Sequence, residues 1–384
     1  MTDILCFSTT DWDEIWGSRQ QIMTCLANSG QRVLFVERQV GPEHLLRDRS
    51  LRARKRAAWK KPALHQVDSN LYLWQPPMLL PGRYYSPILN RLGQHRLVIS
   101  LRPILDHLKF SQPLLWLYPP HSSPLIGNFS EKLVIYHCID RFVGGQAGLK
   151  RTVMLAEETD LLQKADLVFT HAEGLRQLYQ PYTRRPITVV PSAADVDRFQ
   201  TVTDIHPEIA NIEHPRLGVV GTLDARIDIQ LLTNLALSNP LWQLILIGPE
   251  RPGRIKLSLL LRLPNVHHLG ARLFGDLPSI LNGMDALLIP YVRDELTEYI
   301  SPIKLYEYLA VGKPIVSVDL PEVRPMKHLI YIAHKSGDFA QTIQHALVDD
   351  TLQKQTTRRQ EAWNHTWEKR AQLMWSIIEE NLSQ

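Results

Sequence analysis

Short unbroken apolar runs alternate along this chain with longer stretches whose apolar residues recur every three or four positions. Strands buried on both faces and joined by helices give that pattern. Ile4–Ser8 (ILCFS) reads as the first strand. Gly17–Ser29 follows as a helix through Ile22, Met23, Leu26 and Ala27, with Gly30 as its stop, and Arg32–Val36 (RVLFV) is the next strand. Strand, turn, helix and strand in this order open a mononucleotide-type unit. Further strands are expected at Leu114–Leu117, Leu133–Tyr136, Leu167–Thr170 and Ile187–Val190, with a helix over Glu157–Lys164. The pattern then restarts: Arg216–Val220 ends at Gly221, Asp228–Ser238 is helical, and Leu244–Ile247 ends at Gly248. Val266–Gly270, Ala286–Pro290 and Pro314–Val318 continue it. From about Gln360 to Leu382 the chain reads as one amphipathic helix carrying Trp363, Trp367, Leu373, Ile377 and Ile378. The expected organisation is a Rossmann-like domain over 1–200, a polar linker over 201–213 and a second such domain over 214–358. The final helix, 359–384, is expected to pack back on the first domain.

Composition narrows this without changing it. A chain of 384 residues suits about two domains, and 44% hydrophobic residues exclude disorder. Cys6, Cys25 and Cys138 are too few and too scattered for a disulfide framework or a CxxC metal site, which points to a reducing, cytoplasmic setting. The N-terminus lacks the basic and apolar regions of a signal peptide, and no run is long enough to span a bilayer. Charge is uneven: residues 1–200 hold 25 Lys/Arg against 18 Asp/Glu, and the remainder 18 against 21. Eight of the basic residues lie in Arg47–Lys61. That run reads either as a solvated surface or as a peripheral contact with an anionic membrane, such as the inner face of the plasma membrane. No nucleic-acid-binding module accompanies it, so nucleic acid is not an expected partner.

In open α/β sheets the residues just past each strand meet the ligand. The first such loop carries Gly17 at a helix start, without the GxGxxG of a dinucleotide fold. After Leu133–Tyr136 come His137 and Asp140, either an acid/base pair or a core histidine beside a turn aspartate. The segment Leu296–Val318 (LTEYISPIKLYEYLAVGKPIVSV) is richer. Ser301-Pro302 starts a helix that Gly312 and Pro314 end. Lys304 in its first turn opposes the helix dipole, which makes sense where an anion sits; Glu307 follows one turn on and could accept protons from a vicinal diol. An ordinary surface ion pair has the same spacing.

These segments resemble nucleotide-sugar glycosyltransferases of the two-Rossmann GT-B fold, families 4 and 1 in particular. SPIKLYEYLAVGKPIVS is similar to their donor-site signature, and RLGVVGTLDARIDIQLL and WQLILIGPE to the start of their donor domain. DWDEIWGSRQQIMTCLANSGQRVLFVE resembles the acceptor-domain opening of bacterial members that build cell-wall and capsular polysaccharides. The resemblance implies two domains facing a central cleft. It assigns Glu307 to the ribose hydroxyls and Arg226 and Lys304 to the diphosphate, with the backbone near Ser301 and Pro302. Gly221 and Gly17 would allow close backbone approach, and Gly248 and Arg272 would border the base. Asp140, or His137 beside it, would face the reacting sugar. One departure stands out: retaining members often carry Glu-x7-Glu, and Tyr299 occupies the first acid's position.

The implied activity is transfer of a sugar from a nucleoside diphosphate sugar to a hydroxyl of a glycan or lipid-linked intermediate. It would be metal-independent, without a cofactor, and retaining. A sugar-nucleotide epimerase on the same frame and a non-catalytic glycan-assembly partner are the alternatives.

Overall fold

The computed structural model describes residues 1–14, 16–47, 51–53, 55, 63–251 and 257–383. The chain divides into two units, Met1–Pro191 with Arg370–Gln384, and Ser192–Lys369.

The first unit contains β1 (Asp3–Phe7), α1 (Ser18–Asn28), β2 (Arg32–Val36), α2 (Pro42–Arg47), β3 (Leu64–Asp68), β4 (Leu71–Trp74) and α3 (Pro87–Leu108). It continues through β5 (Leu114–Leu117), β6 (Leu133–Cys138), α4 (Gly148–Lys164), β7 (Leu167–Thr170), α5 (Glu173–Tyr179) and β8 (Ile187–Val189). Its strands lie in the order β3-β4-β2-β1-β5-β6-β7-β8, all parallel except the edge strand β3, which pairs antiparallel with β4. Ile4, Leu5, Val33, Leu34, Leu114 and Leu115 are wholly buried, as strands covered on both faces require.

The second unit opens with α6 (Val196–Thr201) and α7 (Pro207–Ala210). It then alternates β9 (Arg216–Val220), α8 (Ile229–Ser238), β10 (Gln243–Ile247), β11 (Val266–Gly270), α9 (Leu277–Asn282), β12 (Ala286–Ile289), α10 (Ile303–Val311), β13 (Ile315–Val318) and β14 (Tyr331–Ala333). α11 (Phe339–Asp349), α12 (Leu352–Ala362) and α13 (Trp367–Leu382) complete the chain. The sheet order is β11-β10-β9-β12-β13-β14, parallel throughout. Each sheet therefore changes direction at its first strand, β1 or β9, and that is where doubly wound sheets open a crevice for ligands.

Two expectations need correction. The stretch 201–213 is part of the second unit, not a linker: Ile209 is buried in its core, and the Arg216 guanidinium donates to the Ala210 and Ile212 carbonyls. The tail is also two helices. α12 ends at Ala362, and turns over Trp363–His365 separate it from α13.

Candidate functional site

In the second unit three neighbouring strands, β9, β10 and β11, end in glycines with positive φ: Gly221 at 141°, Gly248 at 144° and Gly270 at 68°. Gly221 N–H donates to the Ile247 carbonyl and Gly248 N–H to that of Gly270, so the three turns are stacked. A Cβ on Gly248 would collide with the Gly221 carbonyl, so only glycine lets these turns lie so close.

Beside them is the start of α10. Pro302 is its N-cap, extended at φ −69° and ψ 115°, and no side chain caps the helix. Leu305 N–H donates to the Pro302 carbonyl at 3.1 Å, and the helix start presents a positive dipole end. Ser301 is 7% exposed and tied down: its hydroxyl accepts from Ser192 N–H at 3.1 Å, and its carbonyl accepts from the Ser192 hydroxyl at 2.9 Å. Lys304 reaches back toward the glycines; a Cβ on Gly221 would lie 3.9 Å from its Cε. Its ammonium pairs with Glu307, a residue 4% exposed, at 2.5 Å. Tyr308, one position on, receives a hydrogen bond from Val220 N–H, which pins α10 against the end of β9.

Arg226 joins the group from the loop after β9. Its Nε and terminal nitrogen grip Asp224 at 2.8 Å each, and Val292 N–H donates to its carbonyl. Burial raises the Asp224 carboxyl, but the Arg226 hydrogen bonds and charge, with Arg251 adding to them, outweigh it and hold the group below its ordinary range. Tyr291 feels all of these: burial raises its phenol, Arg226 lowers it, and Asp224 and Glu307 raise it further. Gly221, Gly248, Arg226, Ser301, Pro302, Lys304 and Glu307 are thus gathered by one sheet end and one helix start. Arg272 follows Gly270 by two residues, with its guanidinium engaged by Glu208 of α7. Asp224 and Tyr291 were missed in the sequence. An acid two residues before an arginine carries little signal, and Tyr291 reads as the plain end of a strand.

The first unit treats its expected pair differently. His137 is wholly buried within β6, its ring centroid 4.9 Å from Tyr118 and 5.0 Å from His171. Neither ring nitrogen has a hydrogen-bond partner among the described residues, and burial, with His171 and Arg19 nearby, holds it neutral well below the usual histidine range. This is a core histidine, so the expectation that it faces a reacting group does not hold. Asp140 lies past the end of β6 with its side chain 47% exposed, 3.9 Å from Arg19. Arg19, in the first turn of α1, was missed; its guanidinium lies 5.8 Å from the Tyr118 ring centroid. Gly17 caps α1 at an ordinary φ of −139°, and its N–H donates to the Gln20 side chain.

Of the basic run 47–61, residues 48–50, 54 and 56–61 lie outside the described ones. Lys55 is 2% exposed and turned inward, 2.6 Å from Asp11 and 3.8 Å from Glu37, so it belongs to no surface patch. Among the described residues no three His, Cys, Asp or Glu side chains cluster as a metal site, and no helix is long and apolar enough to cross a membrane.

Residues 214–349 match the family model described as glycosyl transferases group 1. A protein of Bacillus subtilis (strain 168) named as a teichuronic acid biosynthesis glycosyltransferase, TuaH, is 26% identical over 257 residues; these cover 62% of this chain and 65% of that protein's length. Among solved structures, sucrose-phosphate synthase from Thermosynechococcus elongatus superposes with a TM-score of 0.77 at 15% identity, covering 100% of both chains. Anabaena HepE in complex with UDP gives 0.67 at 14% identity, over 99% of this chain and 100% of that one. The fold is the two-Rossmann GT-B fold.

Proposed function

We propose that this chain, which carries a group 1 glycosyltransferase domain over residues 214–349, moves a sugar from a nucleoside diphosphate sugar to a hydroxyl of a glycan or lipid-linked intermediate. The observation that carries the reading is the grouping of Gly221, Gly248, Lys304 and Glu307 where β9 and β10 end and α10 begins. On this reading the diphosphate lies against the uncapped start of α10. Lys304 leaves Glu307 for the diphosphate, and Glu307, already desolvated, accepts hydrogen bonds from the two ribose hydroxyls. Arg226, held in place by Asp224, is the second cation. Charge that develops on the leaving diphosphate is met by these two side chains and the helix dipole, with no divalent ion. Transfer is retaining, the leaving phosphate taking the acceptor proton. Asp140, exposed and close to Arg19, is the polar group of the first unit assigned to the acceptor.

Support for the donor class comes from HepE, whose structure holds UDP, and for surface polysaccharide as the product from the teichuronic acid relative. A thermal-shift screen with UDP, GDP, dTDP and CMP tests the donor, since a ligand bound by the native state raises apparent stability. UDP is expected to give the largest shift. Failure of every nucleotide to stabilise the chain overturns the reading. Consumption of UDP-sugar at full rate without an acceptor replaces transfer by epimerisation or hydrolysis.

A further inference from the structure

The chain passes from the first unit to the second between Pro191 and Ser192, and returns between Lys369 and Arg370. Within each unit the outgoing and returning segments are tied together. In the first, Arg370 Nε donates to the Pro191 carbonyl at 3.1 Å. In the second, Ala194 N–H donates to the His365 carbonyl at 3.0 Å, and Ala194 pairs with Thr366 in a parallel bridge. Ser192, Ala193 and Ala194 are all buried. Ser192 is therefore clamped on both sides before it makes any contact of its own.

Its own contacts are the two hydrogen bonds to Ser301, the residue just before the Pro302 N-cap of α10. No side chain caps this helix, so its position along its axis is set by what grips the backbone at its two ends. At the far end α12 does this: Arg359 Nε donates to the Val311 carbonyl at 2.9 Å and Arg358 Nε to that of Gly312 at 2.8 Å. At the near end, among the described residues, both hydrogen bonds of Ser301 come from Ser192. The returning segment adds a ring contact, His365 lying 5.1 Å from Tyr306, the fourth residue of α10.

A buried carbonyl left without a donor pays its full desolvation. Without the Ser192 hydroxyl, the Ser301 carbonyl must turn toward another donor, and the start of α10 turns with it. Displacements of about 1 Å are enough to spoil an oriented binding site.

We propose that Ser192 is a positioning residue for the donor: it sets the start of α10 against the glycine turns that end β9 and β10, and so controls how tightly a diphosphate is held without touching it. The inference rests on the proposed donor site at that helix start.

Isothermal titration of the full chain with UDP and GDP, followed by the tighter binder, tests it. Ser192→Ala is expected to raise the Kd of that diphosphate about five- to tenfold. Affinity for the matching nucleoside, which carries no phosphate, should not change. Thr366→Ala separates positioning from stability: the Thr366 hydroxyl accepts from Lys369 N–H at 3.3 Å at the start of α13, far along the chain from Ser301. That variant should melt earlier and still bind the diphosphate like the wild type. Equal diphosphate affinity in Ser192→Ala and wild type overturns the proposal and leaves the donor site standing. Equal losses for nucleoside and diphosphate, or the same loss in Thr366→Ala, also overturn it, since Ser192 would then serve stability alone. A wild type that binds neither diphosphate overturns the donor site itself, and this inference with it.

Discussion

Glu307→Ala is the substitution on which the proposed donor site turns. Glu307 is 4% exposed and ion-paired with Lys304, whose side chain is 19% exposed. Breaking a fully buried pair costs about 3–5 kcal/mol, because the surviving charge is stranded. Lys304 has a flexible stem and an opening to solvent, so the stability loss should fall below that range. Nucleotide binding is a separate quantity. A desolvated carboxylate accepting from a diol is worth about 1.5–3 kcal/mol, which is roughly a ten- to 150-fold rise in Kd. Isothermal titration with the nucleoside diphosphate that best stabilises the wild type measures this. The 2′-deoxy analogue supplies the second arm of a cycle. Wild type should bind the analogue more weakly than the ribonucleotide, and Glu307→Ala should bind the two alike. A variant that keeps wild-type affinity and still discriminates against the deoxy sugar would remove Glu307 from the ribose.

Other consequences follow from single contacts. Gly248→Ala should abolish nucleotide binding and lower the melting temperature, since its Cβ meets the Gly221 carbonyl at a φ that disfavours any side chain. Glu158, 1% exposed, is raised by burial to about 7, while hydrogen bonds from the Tyr136 and Tyr179 hydroxyls oppose the rise. The folded state thus binds this proton more tightly than the unfolded chain. The stability involved, on the order of 3 kcal/mol, is present below about pH 4.5 and lost as pH climbs through about 7. Buried His137 and His171 act with the opposite sign, so the readout is the wild-type melting curve from pH 5 to 8 compared with that of Glu158→Gln, in which this decline should vanish. Transfer activity should survive EDTA; complete loss restored by Mn²⁺ would refute the cationic clamp.

The architecture was legible because parallel strands buried on both faces write themselves as uninterrupted apolar runs. Arg216–Val220 and Leu114–Leu117 coincide with their predicted limits. β3 was invisible for the opposite reason: it lies on the sheet edge with four of its five residues exposed, and carries no apolar run; β4 (LYLW) is a buried apolar run that the sequence reading passed over. α13 was merged with α12 because both are amphipathic and the break, Trp363–His365, contains neither glycine nor proline. At the site, residue types that bear charge at a helix start could be found from spacing. Burial could not. Asp140 and His137 lie three residues apart, yet one is half exposed and the other enclosed by Trp116, Tyr118 and Phe169.

The same distinction applies within the basic run 47–61, of which Lys55 is the described member whose surroundings are clearest. Composition weighs every lysine equally, and by that measure the run dominates the first half of the chain. Lys55 shows what is lost, since its ammonium neutralises buried Asp11 and Glu37 and contributes no surface charge. Burial raises the Glu37 carboxyl and Asp11 adds to the rise, while Lys55 pulls it back, so the one ammonium offsets the repulsion between the two carboxylates. Lys55→Ser would strand two carboxylates and should cost about 3–5 kcal/mol, read as a drop in melting temperature. If it were an ordinary surface lysine, the change would stay within about 0.5 kcal/mol. α3 has apolar side chains on both faces, Leu97 and Leu101 buried and Ile88 and Leu92 exposed. Which face of a two-faced helix points outward is decided by the sheet it packs on, and that information is absent from the helix's own sequence.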